Sequence, residues 1–217
     1  MADWVTISSL ATAGGTLVLA VATFSSVRSA NRSARVAERS LLVGLRPVLI
    51  PSREEDPLER IRFGDQHMLT VPGHGGAVEE ADGNIYLAVA LRNGGTGLAV
   101  IHAWRARSRE AGLSQPGARA DEEPDLGDFR RQQLDLYIPA GDTGYWQGAL
   151  RGRQEPGYPE VLAALRAGGL VQIDLLYGDH EGLQRTVVRF VVSRWPEVEG
   201  RRAYVIRYWD VDRDDPR

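Results

Sequence analysis

The sequence contains neither lysine nor cysteine, and each absence excludes classes of chemistry. All 26 of its Lys+Arg residues are arginine. Without lysine the chain has no Walker-type phosphate loop, no kinase strand lysine and no amine that forms a Schiff base. Without cysteine it has no thiol nucleophile, disulfide, thiolate zinc site or iron–sulfur cluster. Most nucleotide-driven and thiol-dependent enzyme classes are therefore excluded.

The chain also lacks an excess of positive charge. Its 217 residues include 26 basic and 29 acidic side chains, which give a formal net charge of -3 at pH 7. No overall positive field is present to attract DNA or RNA, so we expect no nucleic-acid partner. The composition, 43% hydrophobic and 25% charged, is typical of a folded protein. The length fits one domain with an appendage.

Patterns that bind metals or cofactors are weak. The four histidines form no helical pair and no H-E-x-x-H motif. Asp210, Asp212 and Asp214 resemble the start of a calcium loop, but Asp215 stands where that loop needs glycine. The glycines of residues 93–97 are predicted to form a turn, because the next element is a strand and a dinucleotide loop must lead into a helix. We predict no metal-binding or cofactor-binding residues.

One cluster could support acid–base catalysis. Asp179, His180 and Glu181 place a titratable imidazole between two carboxylates. Glycines at positions 178 and 182 favour a solvated hairpin tip instead, and no G-x-S-x-G elbow occurs. We therefore predict no catalytic residues, and a hydrolase that uses carboxylates or His180 is the enzymatic alternative.

An uncharged segment extends from Trp4 to Val27 and is most apolar from Leu10 to Phe24. As a helix, residues 4–24 would span about 31 Å, close to the ~30 Å hydrocarbon core of a bilayer. This predicts a transmembrane helix, with a buried or interfacial helix as the alternative because the segment contains six hydroxyl residues and a glycine pair. A cleaved signal peptide is disfavoured, because Asp3 is the only charged side chain before the run.

Four arginines follow this segment, and no basic side chain precedes it. The positive-inside rule then predicts a single-pass inner-membrane protein with its N-terminus outside and its C-terminal domain in the cytoplasm. Spacings of four, three and four residues place the arginines on one stripe, so the helix should continue as an amphipathic helix to residue 43. Either this stripe is solvated or it contacts anionic lipid headgroups, and its juxtamembrane position favours lipid. The candidate lipid-facing residues are Arg28, Arg32, Arg35 and Arg39.

Small residues recur along another stripe of the same helix at spacings of three and four. Small side chains allow close helix packing in lipid, and a 3.5-residue repeat is typical of coiled coils. The stripe favours a homodimer through the N-terminal helix, unless it merely reflects the abundance of alanine in this chain. Its candidate association residues are Ala13, Thr16, Ala20, Thr23, Val27, Ala30, Ala34, Ala37 and Leu41.

The pattern changes at Gly44, and residues 44–217 are predicted to form one β domain that follows the helical segment 1–43. Gly44 breaks the helix, and Arg46 before Pro47 favours extended backbone. Residues 85–91 alternate and predict a strand with one buried face, whereas 159–167 predict a single short helix. About eight short strands at even spacing favour a β-sandwich. The predicted strands are 47–51, 60–71, 85–91, 98–107, 133–138, 143–150, 170–177, 183–195 and 203–211, with loops at 72–83 and 108–127.

Three segments carry a resemblance to known proteins: RPVLIP at 46–51, LRNGGTGLAV at 91–100 and YIPAGDTGYW at 137–146. With the preceding membrane helix, they resemble actinobacterial-type single-pass membrane proteins with a C-terminal immunoglobulin-like β-sandwich. The resemblance covers nearly the whole chain and implies the architecture, but it transfers no site residue. Leu98 departs from the pattern, since proline often follows the last glycine there.

Together these features favour a membrane-tethered, non-enzymatic interaction or scaffold domain at the inner face of the membrane. The expected partners are membrane lipid, an unknown protein and a second copy of the chain. A small accessory subunit of a transporter or envelope complex is the alternative. The tyrosines and tryptophans either pack in the core or form a partner surface, and one member each of Tyr145–Trp146 and Tyr208–Trp209 is expected to face outward.

Overall fold

A computed structural model of the chain describes residues 4–109, 122–194 and 200–212. The first unit is a single helix, α1 (Trp4–Gly44), and the second unit begins at Leu45. The 41 residues of α1 are about 62 Å long at 1.5 Å per residue, roughly twice the thickness of a bilayer core. The predicted continuation of the apolar helix into the arginine-bearing helix is confirmed, because α1 is unbroken.

The segment Ser8–Leu42 of α1 is long enough to span a membrane and contains an 18-residue stretch with a mean hydropathy of 1.6. Its large apolar side chains from Leu10 to Leu41 are exposed where the structure describes them. The hydroxyls of Thr16 and Thr23 donate to the carbonyl oxygens of Thr12 and Leu19 within the helix. These internal hydrogen bonds lower the cost of placing hydroxyl residues in lipid.

The second unit is built mainly from strands. Its β-strands are β1 (Leu49–Pro51), β2 (Glu59–Arg62), β3 (Met68–Val71), β4 (Gly75–Ala81), β5 (Asn84–Asn93), β6 (Ala99–Arg109), β7 (Arg130–Ile138), β8 (Thr143–Arg151), β9 (Leu170–Gly178), β10 (Thr186–Arg194) and β11 (Arg201–Asp210). A 3-10 turn covers Leu126–Asp128, and α2 covers Tyr158–Arg166. The mainly β class with one short helix is confirmed, while Trp195 and most of the predicted loop 108–127 lie outside the described residues.

Nine of these strands form one antiparallel sheet in the order β1-β5-β4-β11-β10-β9-β6-β7, with β8 paired to β5. Because β4 and β8 pair with the same residues of β5, they lie on its opposite sides. The sheet is curled, so that β7 and β8, far apart in strand order, come together. Two separate packed sheets of an immunoglobulin-like sandwich are not confirmed, since only β2 and β3 form a second ladder among the described strands.

Two predicted segments differ from the structure. Residues 60–71 form the hairpin β2–β3 rather than one strand, because Gly64–His67 turn between them. The predicted loop 72–83 contains β4, whose sequence GGAVEEA has low β propensity. β4 is nevertheless held between β5 and β11, so pairing with both neighbours outweighs its local preference.

The core has two parts, on opposite faces of β5. The inner part is enclosed by the curled sheet and α2, and it includes Trp146 and Phe190. The outer part lies under the β2–β3 hairpin and includes Ile61 and Tyr86. The prediction of one buried face for residues 85–91 is therefore wrong: all seven side chains are buried.

Segment 45–51 packs against the turn between β5 and β6 and is hydrogen-bonded to it. Gly94 N donates to Val48 O (2.8 Å), Thr96 N donates to Arg46 O (3.1 Å), and Arg46 forms an ion pair with Asp210. A Cβ atom on Gly97 would lie 1.7 Å from the carbonyl oxygen of Leu45. The glycines of this turn therefore allow the close approach of another backbone, which agrees with the predicted turn.

A buried ion cluster crosses three adjacent strands. Arg105 and Arg189 are both opposed to Asp174 in the ladders of β6, β9 and β10. Arg105 Nε donates to Asp174 Oδ2 (2.7 Å), and Arg189 Nε donates to Asp174 Oδ1 (2.8 Å). All three side chains are buried, and Asp174 is 0% exposed. One carboxylate thus bridges two buried guanidinium groups, and Arg105 also contacts the partly exposed Asp128.

Candidate functional site

A concave cleft of the second unit lies between β7 and β8. In the described part of the chain, β7 pairs only with β6 and β8 pairs only with β5, so each has one edge without a strand partner. These edges bound a cleft of about 510 Å³, which the β2–β3 turn also lines through Phe63 and Gly64. The cleft is therefore the place where the curled sheet fails to close.

Side chains rather than backbone ladders bridge the two edges. Gln132 Nε2 donates to the carbonyl oxygen of Gln147 (3.2 Å), and Arg130 Nη1 donates to that of Ala149 (3.4 Å). Trp146 Nε1 donates to Gln132 Oε1 (3.2 Å). Because a side chain spans each gap, the two backbones lie farther apart than the 4.7–4.9 Å typical of paired strands.

The wall formed by β7 is irregular. In the β6–β7 ladder, Leu136 opposes Ile101 and Arg131 opposes Ala103, so residues 132–135 face His102 alone. Such a bulge interrupts pairing and redirects side chains. Leu134, at the middle of the bulge, is 66% exposed and lines the cleft. An exposed leucine at a sheet opening is a natural contact for a ligand.

Trp104 forms the apolar floor of the cleft and packs against the fully buried Trp146. The rings of Trp104 and Trp146 meet edge to face with centroids 5.2 Å apart. A Cβ atom on Gly148 would lie 2.6 Å from Trp146 and 2.9 Å from Trp104. Glycine at position 148 therefore leaves room for the aromatic pair between the core and the opening.

Arginines surround the floor. Arg130 lies over Trp104, with its guanidinium carbon 5.0 Å from a ring centroid, and pairs with Glu155 (2.6 Å). Arg151 pairs with Asp65 (2.5 Å). Arg131 makes no side-chain hydrogen bond or ion pair with any residue that the structure describes. Arg131 is therefore available to an acidic ligand.

The Asp65 carboxylate fixes Arg151 at the rim. Tyr86 Oη donates to Asp65 Oδ2 (2.6 Å) beside the Arg151 contact. These two hydrogen bonds, from Tyr86 first and then Arg151, hold the pKa of Asp65 well below its usual range. Burial, followed by the Asp65 bond, raises the pKa of Tyr86. Asp65 therefore stays ionised at physiological pH.

One polar atom of the cleft is left without a partner. Gln147 Oε1 is buried and accepts no hydrogen bond from the described residues. A buried acceptor without a donor costs free energy, so most such atoms in proteins are paired. Since Gln147 lines the cleft, a bound donor would satisfy this oxygen.

The sequence candidates for catalysis lie away from this cleft. His180 is exposed at the β9–β10 turn, whereas Asp179 is buried and its Oδ1 accepts from the backbone nitrogens of Glu181 (3.1 Å) and Leu183 (2.7 Å). The Asp179 carboxylate thus holds a turn, as expected for a hairpin tip.

The calcium-like aspartates are also separated. Asp210 pairs with Arg46 and Asp212 pairs with Arg185, while Asp214 and Asp215 lie outside the described residues. Among the residues that the structure describes, no three histidine or acidic side chains form a group able to hold a metal.

The lipid and association candidates all lie on α1. Arg28, Arg32 and Arg35 are exposed, whereas the side chain of Arg39 is outside the described part. All nine association candidates of the small-residue stripe are exposed. These residues belong to the helical unit, and the cleft belongs to the β unit.

The paired aromatics are more buried than the sequence predicts. Trp146 and Trp209 are buried, while Tyr145 and Tyr208 are half-buried against the two cores. No aromatic of either pair is exposed, so the expected outward-facing aromatic is wrong at each pair. Among the described aromatic side chains of the β unit, the exposed one is Tyr137 on β7, at 55%.

Comparison with known proteins found no family model that matches the chain and no significant match among curated proteins or solved structures.

Proposed function

We propose that this protein is a membrane-anchored, non-enzymatic binding protein whose cytoplasmic β unit holds a segment of another protein in the β7–β8 cleft. The observation that carries the proposal is the pair of open strand edges above a tryptophan floor. Exposed strand edges bind other chains readily, and proteins usually cover them. Here the side chains of Arg130 and Gln132 bridge the two edges, and a ligand can displace them.

The anchoring part of the proposal is supported by α1. Its apolar segment has the length of a membrane span, and the arginines that follow it favour a cytoplasmic location for the β unit. An accessory subunit of a transporter or envelope complex would use the same two features. A hydrolase built on Asp179 and His180 has no comparable support, because Asp179 is committed to its turn.

Site-specific photocrosslinking in native membranes tests the proposal. A photoreactive amino acid at Leu134, in the cleft, should give a discrete protein adduct, because the side chain is exposed beside the proposed ligand. The matched control is Leu183, 50% exposed at the β9–β10 turn, which should give little or none. Adding Arg131→Glu should reduce the Leu134 adduct at least threefold. Equal adducts at both positions, or none at Leu134, would refute a cleft ligand.

A further inference from the structure

We propose that the ligand segment binds as an extended strand added antiparallel to β8, and that this strand alternates apolar and acidic side chains. The inference rests on the proposed function and specifies the chemistry of the partner. It follows from the backbone groups that face the cleft and from the side chains above and below them.

The backbone of β8 offers free pairing positions. In an antiparallel ladder, alternate residues direct both their N–H and C=O groups to the same neighbour. The carbonyls of Gln147 and Ala149 accept from side chains of β7, so the backbone groups of these residues face away from β5. Their N–H groups consequently face the cleft too. The added ligand strand can form backbone hydrogen bonds with both residues by displacing the side chains of Arg130 and Gln132.

The side chains on the two faces of an added strand would contact different kinds of residue. Trp104 belongs to the inner core and lines the cleft, so side chains on the inner face of an added strand would contact its ring. Arg151 lies on the outer face of β8, with Ala149, and Arg131 lies on the outer face of β7, opposite Ala103. Side chains alternate between the two faces of a strand. An added strand whose apolar residues face inward would therefore place its acidic residues beside Arg131 and Arg151.

The test uses the full-length protein in detergent and a fluorescent octapeptide of alternating valine and glutamate. Binding is measured by fluorescence anisotropy. In the proposed antiparallel pairing, the backbone groups of the glutamates face β8, because opposed residues share a face. Methylating the glutamate backbone nitrogens should therefore weaken binding at least tenfold, whereas methylating those of the valines should change it less than threefold. Replacing every glutamate by lysine should also weaken binding at least tenfold.

Binding measurements on variants of the protein give an independent test of the inference. Arg131→Gln should weaken peptide binding at least threefold, and Arg60→Gln, at an exposed arginine on β2 that does not line the cleft, should leave it unchanged. Ala149→Pro removes an N–H that faces the cleft, at an edge position where proline is tolerated, and should weaken binding at least tenfold. Circular dichroism of each variant verifies that it is folded.

Several outcomes would overturn the inference. These are no binding of the valine–glutamate peptide at millimolar concentration, equal effects of the two methylation patterns, or a larger effect of valine methylation. If Leu134 still gives a protein adduct in membranes under any of these outcomes, strand addition is wrong and the proposed function stands. If that adduct is also absent, the proposed function fails with it.

Discussion

Replacing Asp174 with asparagine is expected to lower the free energy of unfolding by about 3–5 kcal/mol, because breaking a buried ion pair leaves uncompensated charge. The carboxylate accepts from Arg105 and Arg189, and both guanidinium groups are buried. Asparagine keeps the size of the side chain but cannot neutralise either cation. Both buried arginines would then lose this counter-charge, and Arg105 would keep its contact with the partly exposed Asp128.

Denaturant unfolding followed by tryptophan fluorescence measures this loss. Arg189 lies 4.6 Å from the ring centroid of Trp209, so one of the five tryptophans lies beside the cluster. Asp128→Asn is the matched control, because Asp128 also pairs with Arg105 but its side chain is 45% exposed. That change should cost about 1 kcal/mol or less. Equal losses for the two variants would contradict the role given to the buried carboxylate.

The second large effect is expected at Gly97. Gly97→Ala should destabilise the β unit by about 3 kcal/mol, the upper part of the usual range for overpacking. The added methyl would lie 1.7 Å from the carbonyl oxygen of Leu45, and this backbone atom cannot move without releasing segment 45–51. The hydrogen bond from Thr96 N to Arg46 O would be lost with it.

Gly64→Ala provides the comparison for Gly97. No atom lies within 4 Å of a Cβ atom built on Gly64, so this change should stay within about 0.5 kcal/mol of the wild-type value. Thermal unfolding of the two variants under the same conditions gives both shifts. A Gly97→Ala protein as stable as the Gly64→Ala protein would show that segment 45–51 is not held by the β5–β6 turn.

Short stretches of sequence were enough to predict the elements that depend on contacts between residues close together in the chain. The uncharged run and the three-and-four spacing of arginines sufficed for α1, since helical periodicity is a short-range property. Gly44 and the Arg46–Pro47 pair predicted where helix gives way to extended chain. β4 was missed for the opposite reason: its glycines and glutamates favour a loop, and only its two neighbouring strands make it a strand.

The candidate site depends on strand order, which the sequence did not reveal. Trp104 and Trp146 are 42 positions apart in the sequence, and they meet because the sheet curls until β7 lies beside β8. Each tryptophan by itself is typical of a core residue. The polar run Arg130–Gln133 was the one local hint, because polar and charged residues are common on edge strands.

The most direct test of the account is the labelling rate of a single cysteine at Gln133, in the cleft, compared with one at Leu183. The natural chain has no cysteine, so each variant carries a single reactive thiol. A membrane-impermeant maleimide should label neither position from outside intact cells. In each preparation, the labelling rate of Gln133→Cys is divided by that of Leu183→Cys. This ratio should be at least threefold lower in opened native membranes than in the purified protein, because a partner occupies the cleft. Labelling from outside, or the same relative rate in membranes and in purified protein, would contradict the account.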